Sequence, residues 1–177
     1  MKLTAVRHTS VNVPSGVCYG FSDVSLNSSF QEEADKVKEK IKGLHFDQVY
    51  SSPLSRCLLL ANYCGFENPT PDSRIKELNF GDWEMKSWME IDKTEAQGWF
   101  EDWLNYPAKN GESYSLMKQR VDDFLNELKQ KNNKKNICLF THGGVIRLIH
   151  VYTGAYAMEE SFDFPVEYGD VFHFEIR

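Results

Sequence analysis

Long apolar runs are missing from this sequence. No stretch approaches the roughly 18 apolar residues that a bilayer-spanning helix needs, so no membrane segment is expected. The N-terminus, Met1-Lys2-Leu3-Thr4-Ala5-Val6-Arg7-His8, turns polar by position 7, too early for the apolar stretch of a signal peptide. Cysteine is scarce: four in 177 residues, at Cys18, Cys57, Cys64 and Cys138, with no C-x-x-C pair. That scatter argues against a disulfide framework or a structural zinc site and suits a reducing cytoplasm. Six prolines and eleven glycines are spread along the chain, without a linker, repeat or low-complexity tract. Positive charge is also in deficit, with 20 Lys and Arg against 26 Asp and Glu, a net charge of −6. An acidic balance argues against nucleic acid, whose phosphates need a basic face. It argues equally against an anionic membrane surface.

Several motifs are absent too. No Gly is followed by Lys, which excludes a P-loop, and no G-x-G-x-x-G marks a dinucleotide site. A cysteine phosphatase places Arg six residues after its Cys; here those positions hold Val24, Tyr63, Thr70 and Gly144. No H-E-x-x-H or close His pair offers a metal site, so no metal or cofactor is expected. Gly16-Val17-Cys18-Tyr19-Gly20 has the spacing of a nucleophile elbow, but a long loop follows it instead of a helix.

What is present is a soluble composition, 41% hydrophobic and 26% charged, at the length of one domain spanning 1–177. Leu3 to Val6 reads as a strand, and residues 9–27 as a loop. Phe30, Ala34, Val37 and Ile41 recur at helical spacing, with Ser29 and Glu32 as a capping box. Gln48 to Tyr50 reads as a strand, followed by a helix with Ser52 as N-cap and Pro53 in its first position, running to about Cys64. A helix over Leu116–Leu128 ends in a solvated stretch at 129–136. Ile137 to Phe140 is a strand, Val145 to Tyr152 a helix, and Val171 to Ile176 a last strand. Alternating strands and helices predict an α/β fold, with three layers around a mainly parallel central sheet. All four tryptophans fall within 83–110, which predicts a helical, aromatic-rich insert. Trp99 and Trp103 at i and i+4 suit one packed helix. A lid that stacks on a flat base is the sharper alternative.

In parallel sheets ligands bind beyond the carboxyl ends of the strands. Three such ends carry Arg7-His8, Ser51-Ser52-Pro53-Leu54-Ser55-Arg56 and Thr141-His142-Gly143-Gly144. Two His and two Arg make a coherent phosphate pocket. Guanidinium forks match phosphoryl oxygens, and a neutral imidazole can attack phosphorus. The helix starts near Pro53 and Gly144 would add backbone N–H donors. A leaving alkoxide needs a nearby carboxylic acid. His45, His150 and His173 read as structural or exposed, and Arg147 as a salt-bridging residue of its helix.

Arg7-His8-Thr9, Ser52-Pro53-Leu54-Ser55-Arg56, Glu77-Leu78-Asn79-Phe80-Gly81-Asp82-Trp83-Glu84 and Thr141-His142-Gly143-Gly144-Val145-Ile146-Arg147 together resemble the histidine phosphatase superfamily, of phosphoglycerate-mutase-like fold. The resemblance implies His8 as the nucleophile and Arg7, Arg56 and His142 as phosphate-binding groups. It implies Glu77 as the catalytic acid, with Glu84 the competing carboxylate. Thr9 stands where the family usually has Gly, and Pro14 where mutase members carry Asn, which weakens a mutase reading. Arg-His-Thr with Gly16-x-Cys18-Tyr19-Gly20-x-x-Asp23 resembles the α-ribazole phosphatase branch, which implies substrate contacts at Thr9, Tyr19 and Gly20. The expected partner is a small phosphate ester, hydrolysed without metal. Alternatives are a broad-specificity or sugar-phosphate phosphatase, or a non-catalytic phosphate-binding protein on the same fold. No oligomeric state follows from the sequence.

Overall fold

The computed structural model describes residues 1–132 and 135–176. Five strands form one sheet: β1 (Lys2–Arg7), β2 (Gln48–Ser51), β3 (Thr70–Pro71), β4 (Asn136–Thr141) and β5 (Val171–Glu175). Their order is β3-β2-β4-β1-β5. All neighbours are parallel except β5, which runs antiparallel to β1 with Ala5 opposite Phe172. Among the described residues there are five α-helices, α1 (Phe30–Lys40), α2 (Ser55–Tyr63), α3 (Lys93–Glu101), α4 (Tyr114–Lys131) and α5 (Gly143–Tyr152), and two 3-10 turns, Ser73–Ile75 and Gly81–Trp83.

The alternation of β4 builds the layers. Successive strand side chains point to opposite faces. Ile137 and Leu139 join Val121, Phe124, Leu125 and Ile149 from α4 and α5 on one face. Cys138 and Phe140 join Ala34, Val37, Cys57 and Leu60 from α1 and α2 on the other. Both strand faces are covered, which gives the expected α/β/α sandwich. Among the described residues no helix is long and apolar enough to cross a membrane.

Several local expectations are corrected. Ser29 precedes α1, but its hydroxyl caps no backbone N–H; it donates to Glu33 Oε1 at 2.6 Å, while Glu32 pairs with Lys36. The α2 helix starts at Ser55, two residues beyond Pro53, with Leu54 as N-cap. Its first-turn donor is taken by Asp23, which accepts from the Ser55 backbone and hydroxyl. Of the expected solvated stretch, α4 reaches Lys131 and buried Asn132 follows as its cap; positions 133 and 134 lie outside the described residues. The strand β3 has two residues, too short for any periodicity to betray it.

The insert holds one helix, α3, which buries none of its own residues. Trp83 is the buried centre of a small satellite core with Cys18, Ile91 and Ala108, against which Trp88 and Trp99 pack. Trp103 lies beyond the end of α3 and turns away, onto Tyr114 and Phe162 at ring distances of 5.4 and 4.8 Å. Trp99 and Trp103 therefore do not share a helix face.

Candidate active site

The ends of β1 and β4 and the start of α5 bring the motif residues together. His8 follows β1 directly and is 3% exposed. Its Nδ1 lies 2.8 Å from the Thr9 carbonyl. A carbonyl can only accept, so the neutral ring carries its proton on Nδ1 and keeps the Nε2 lone pair free. Burial, then the charge of Arg56, hold the His8 pKa well below 6.5; the Thr9 carbonyl opposes this and Arg7 adds to it. The result is a neutral imidazole at pH 7, the form that can attack phosphorus.

His142 caps α5 and packs edge-on to His8, with ring centroids 5.1 Å apart. Its Nε2 lies 2.8 Å from the Ser52 hydroxyl. Burial and the Arg56 charge again hold its pKa well below 6.5. Arg7 is anchored by Nη1, which donates to the Val166 carbonyl, and its guanidinium lies 4.0 Å from the Tyr168 ring centre. Arg56 is fully buried behind His8. Its Nη1 and Nη2 donate to the carbonyls of Ser22 and Gly20 at 2.8 and 2.6 Å. Two of its donors are thus taken by loop carbonyls. The Nε atoms of Arg7 and Arg56 are buried without a protein partner among the described residues. Such orphan donors are costly, and a phosphoryl oxygen is an acceptor that suits them.

Glu77 reaches the site from the loop after Ser73–Ile75. Its Oε1 accepts from Leu78 N–H and its Oε2 from Gly144 N–H, both at 3.0 Å. A Cβ on Gly144 would stand 2.2 Å from Oε1, so any larger residue there would displace the carboxyl. The α5 N-terminus expected to donate to an anion thus holds the Glu77 carboxyl. Glu84 lies elsewhere. It accepts from Gly20, Phe21, Ser22 and Phe80 backbone N–H groups and from the Ser22 hydroxyl. Burial would raise its pKa, but these donors, the Ser22 hydroxyl foremost, outweigh burial and lower it. Glu84 is a loop anchor, and Glu77 is the carboxyl that borders the pocket.

The pocket encloses about 200 Å³ and is lined by Arg7, His8, Tyr19, Glu77, Leu78, Phe80, Tyr114, Gly144, Arg147 and Phe162. Of the three expected substrate contacts, Tyr19 lines it, and its hydroxyl meets that of Tyr168 at 2.7 Å. Thr9 is fully buried and serves His8 through its carbonyl. Gly20 faces Arg56 and Glu84, packed so closely that a Cβ would stand 1.8 Å from the Leu78 carbonyl. Tyr114, Phe162 and Arg147 were not foreseen. Phe162, Phe164, Val166 and Tyr168 alternate along the segment before β5, but that segment forms no strand, so the alternation gives no sign of the pocket. Arg147 forms no salt bridge among the described residues, contrary to expectation; its Nε donates to the Phe164 carbonyl. His150 is ringed by Phe164, Phe172 and Phe174, a structural setting. A larger cleft of about 440 Å³ lies at the opposite end of β1, lined by Lys2, Thr4, Phe46 and His173 among others, and holds none of the motif residues.

Comparison with known proteins agrees with this geometry. Residues 3–177 match the histidine phosphatase superfamily (branch 1). The adenosylcobalamin/alpha-ribazole phosphatase of Escherichia coli is 29% identical, over 96% of this chain and 87% of its own. A broad-specificity phosphatase of Saccharomyces cerevisiae is 32% identical, over 84% of this chain and 68% of its own. The crystal structure of the alpha-ribazole phosphatase from Shigella flexneri superposes with a TM-score of 0.91 at 26% identity, covering 100% of this chain and 91% of that one. The chain belongs to branch 1 of the histidine phosphatase superfamily.

Proposed function

We propose that this phosphatase hydrolyses phosphate monoesters through a phosphohistidine at His8, with α-ribazole 5′-phosphate as its substrate. The observation that carries the mechanism is the His8 ring, proton on Nδ1 toward the Thr9 carbonyl and Nε2 free. In the first step Nε2 attacks phosphorus and the ester P–O bond breaks. The leaving oxygen takes a proton from Glu77. In the second step water attacks the phosphohistidine and Glu77 accepts its proton; the P–N bond breaks, its electron pair returns to Nε2, and phosphate is released. Arg7, Arg56 and His142 stabilise the equatorial oxygens. The scheme uses no metal, so activity should persist in EDTA.

Labelled substrate mixed with enzyme in a single turnover should trap an acid-labile, base-stable phosphoenzyme that is absent in His8→Ala. Full activity of that variant ends the proposal. The α-ribazole substrate is supported by the names of the Escherichia coli and Shigella flexneri relatives. A broader sugar-phosphate specificity is favoured by the yeast relative, and a substrate panel separates the two readings.

A further inference from the structure

One cation in the pocket has no part in the two-step scheme. Arg147 enters from α5, one turn beyond Gly143, and is fixed on two sides. Its Nε donates to the Phe164 carbonyl at 3.1 Å, and its guanidinium lies 5.4 Å from the Phe162 ring centre. Among the described residues, Nη1 and Nη2 donate to no protein acceptor, and no carboxylate pairs with them. A Cβ on Gly143 would stand 3.0 Å from Arg147 Nη1 and 3.4 Å from Arg7 Nε. The two guanidinium groups therefore flank one point above the first turn of α5. Gly144, the next residue, holds Glu77 through its N–H.

This placement relates Arg147 to the leaving group. Arg7 is already tied to the Val166 carbonyl and stacked on Tyr168. The oxygen that departs from phosphorus must come to Glu77. The atoms bonded to that oxygen lie in the same pocket, whose wall beyond the motif residues includes Tyr114, Phe162 and Arg147. This wall is apolar apart from the Tyr114 hydroxyl and the guanidinium edge. A half-buried donor edge left facing an alkyl chain is unpaired, which disfavours that ligand more than a matched oxygen favours its own.

We propose that Arg147 is a specificity-determining residue that donates from its Nη edge to an oxygen of the leaving group near the ester. The site then takes esters of hydroxylated leaving groups, such as sugars, in preference to plain alkyl phosphates. The inference rests on the phosphatase reading and on Glu77 as the acid. Burial, the main influence lowering the Arg147 pKa, agrees with a cation lacking a close counter-ion, although the field of Glu77 acts in the opposite sense.

The test compares ribose 5-phosphate with n-pentyl phosphate, two primary alkyl esters of matched length. The ratio of their kcat/KM values should fall by about 10-fold or more in Arg147→Gln. Arg147→Lys, which keeps a donor, should recover part of the ratio. Circular dichroism establishes that both variants fold, and if Arg147→Gln does not, the ratio in Arg147→Lys alone decides, with any fall supporting the proposal. An unchanged ratio, with both esters slowed equally, overturns the inference and leaves the phosphatase reading standing. Hydrolysis by the wild-type protein of neither ester, nor of α-ribazole 5′-phosphate, overturns both; hydrolysis of α-ribazole 5′-phosphate alone moves the same comparison to that ester, wild type against Arg147→Gln, where an unchanged kcat/KM overturns the inference.

Discussion

Glu84 and Arg56 share no bond, yet each grips the same two residues from opposite sides. Glu84 accepts from the N–H groups of Gly20 and Ser22, and Arg56 donates to their carbonyls. The loop 20–22 is thus a rigid coupling between a carboxylate outside the pocket and a guanidinium behind His8. Glu84→Gln keeps the shape but loses the charge. It should cost about 1.5–3 kcal/mol of stability, the range for hydrogen bonds to a charged group. Because the weaker acceptor loosens the loop that presents the Gly20 and Ser22 carbonyls to Arg56, kcat should fall as well, although Glu84 touches no substrate. The pH dependence separates charge from shape. The unfolded carboxyl titrates near 4.5 and the folded one lower. The stabilisation is present above about 4.5 and is lost as pH falls through the folded value. Urea unfolding at neutral and acid pH should show the wild-type advantage over Glu84→Gln shrinking in acid. A constant gap would contradict the assignment.

The two buried histidines set a second, less acidic window. His8 and His142 both titrate well below 6.5 in the fold, chiefly through burial and the Arg56 charge. The unfolded chain therefore binds protons first as pH drops. Stability is complete above 6.5 and is lost as pH falls toward the folded values, at up to about 1.4 kcal/mol per unit for each histidine. Urea titrations between pH 7 and pH 5 should show this slope, and His142→Asn should flatten it. The kcat/KM profile should show no step near 6.5, since His8 remains neutral there.

A third prediction concerns Gly144. Alanine at this position would drive its Cβ into Glu77 Oε1, 2.2 Å away. The backbone of α5 can stay in place, but the carboxyl cannot. Gly144→Ala should therefore mimic Glu77→Gln, with a loss of about 100-fold or more on alkyl phosphates, the scale of general acid catalysis. In kcat/KM, which reports the first step alone, the loss on p-nitrophenyl phosphate should be much smaller, because nitrophenolate departs without a proton; in kcat the second step, where Glu77 is the base, slows both esters. The double variant should be no worse than either single one. Additive losses would mean that Gly144 acts by another route.

These couplings explain what could and could not be read from the residue order. Arg7, His8 and His142 are legible because each stands at the end of a short apolar strand, where parallel sheets place their ligands. The sandwich is legible because β4 alternates and the helices carry apolar stripes. Arg147, Tyr114 and Phe162 are not, because their roles depend on long-range packing. Tyr114 opens a helix like any other, and Phe162 reaches the pocket on a loop with no regular structure. The capping box at Ser29 fails for a similar reason: Glu33 has a tertiary partner in Ser10, whose N–H and hydroxyl it accepts at 2.7 and 2.6 Å, and it takes the Ser29 hydroxyl as well.

The tryptophans give the last prediction, because the fold divides them. Trp103 supports the two rings that wall the pocket, Tyr114 at 5.4 Å and Phe162 at 4.8 Å. Trp99 packs on Trp88 and Phe100 within the insert, away from the lining. Neither ring borders the pocket, so neither acts as a lid in this arrangement. Trp103→Ala removes the backing of Phe162, whose freedom should weaken substrate binding. KM for a bulky ester should rise on the order of 10-fold, about the cost of one lost aromatic pair. Trp99→Ala should instead lower the unfolding free energy through lost apolar burial, by about 2 kcal/mol, with KM close to wild type. If Trp99→Ala were the variant that raised KM, the insert would have to close over the pocket during turnover, and the division of labour drawn from the ring contacts would fail.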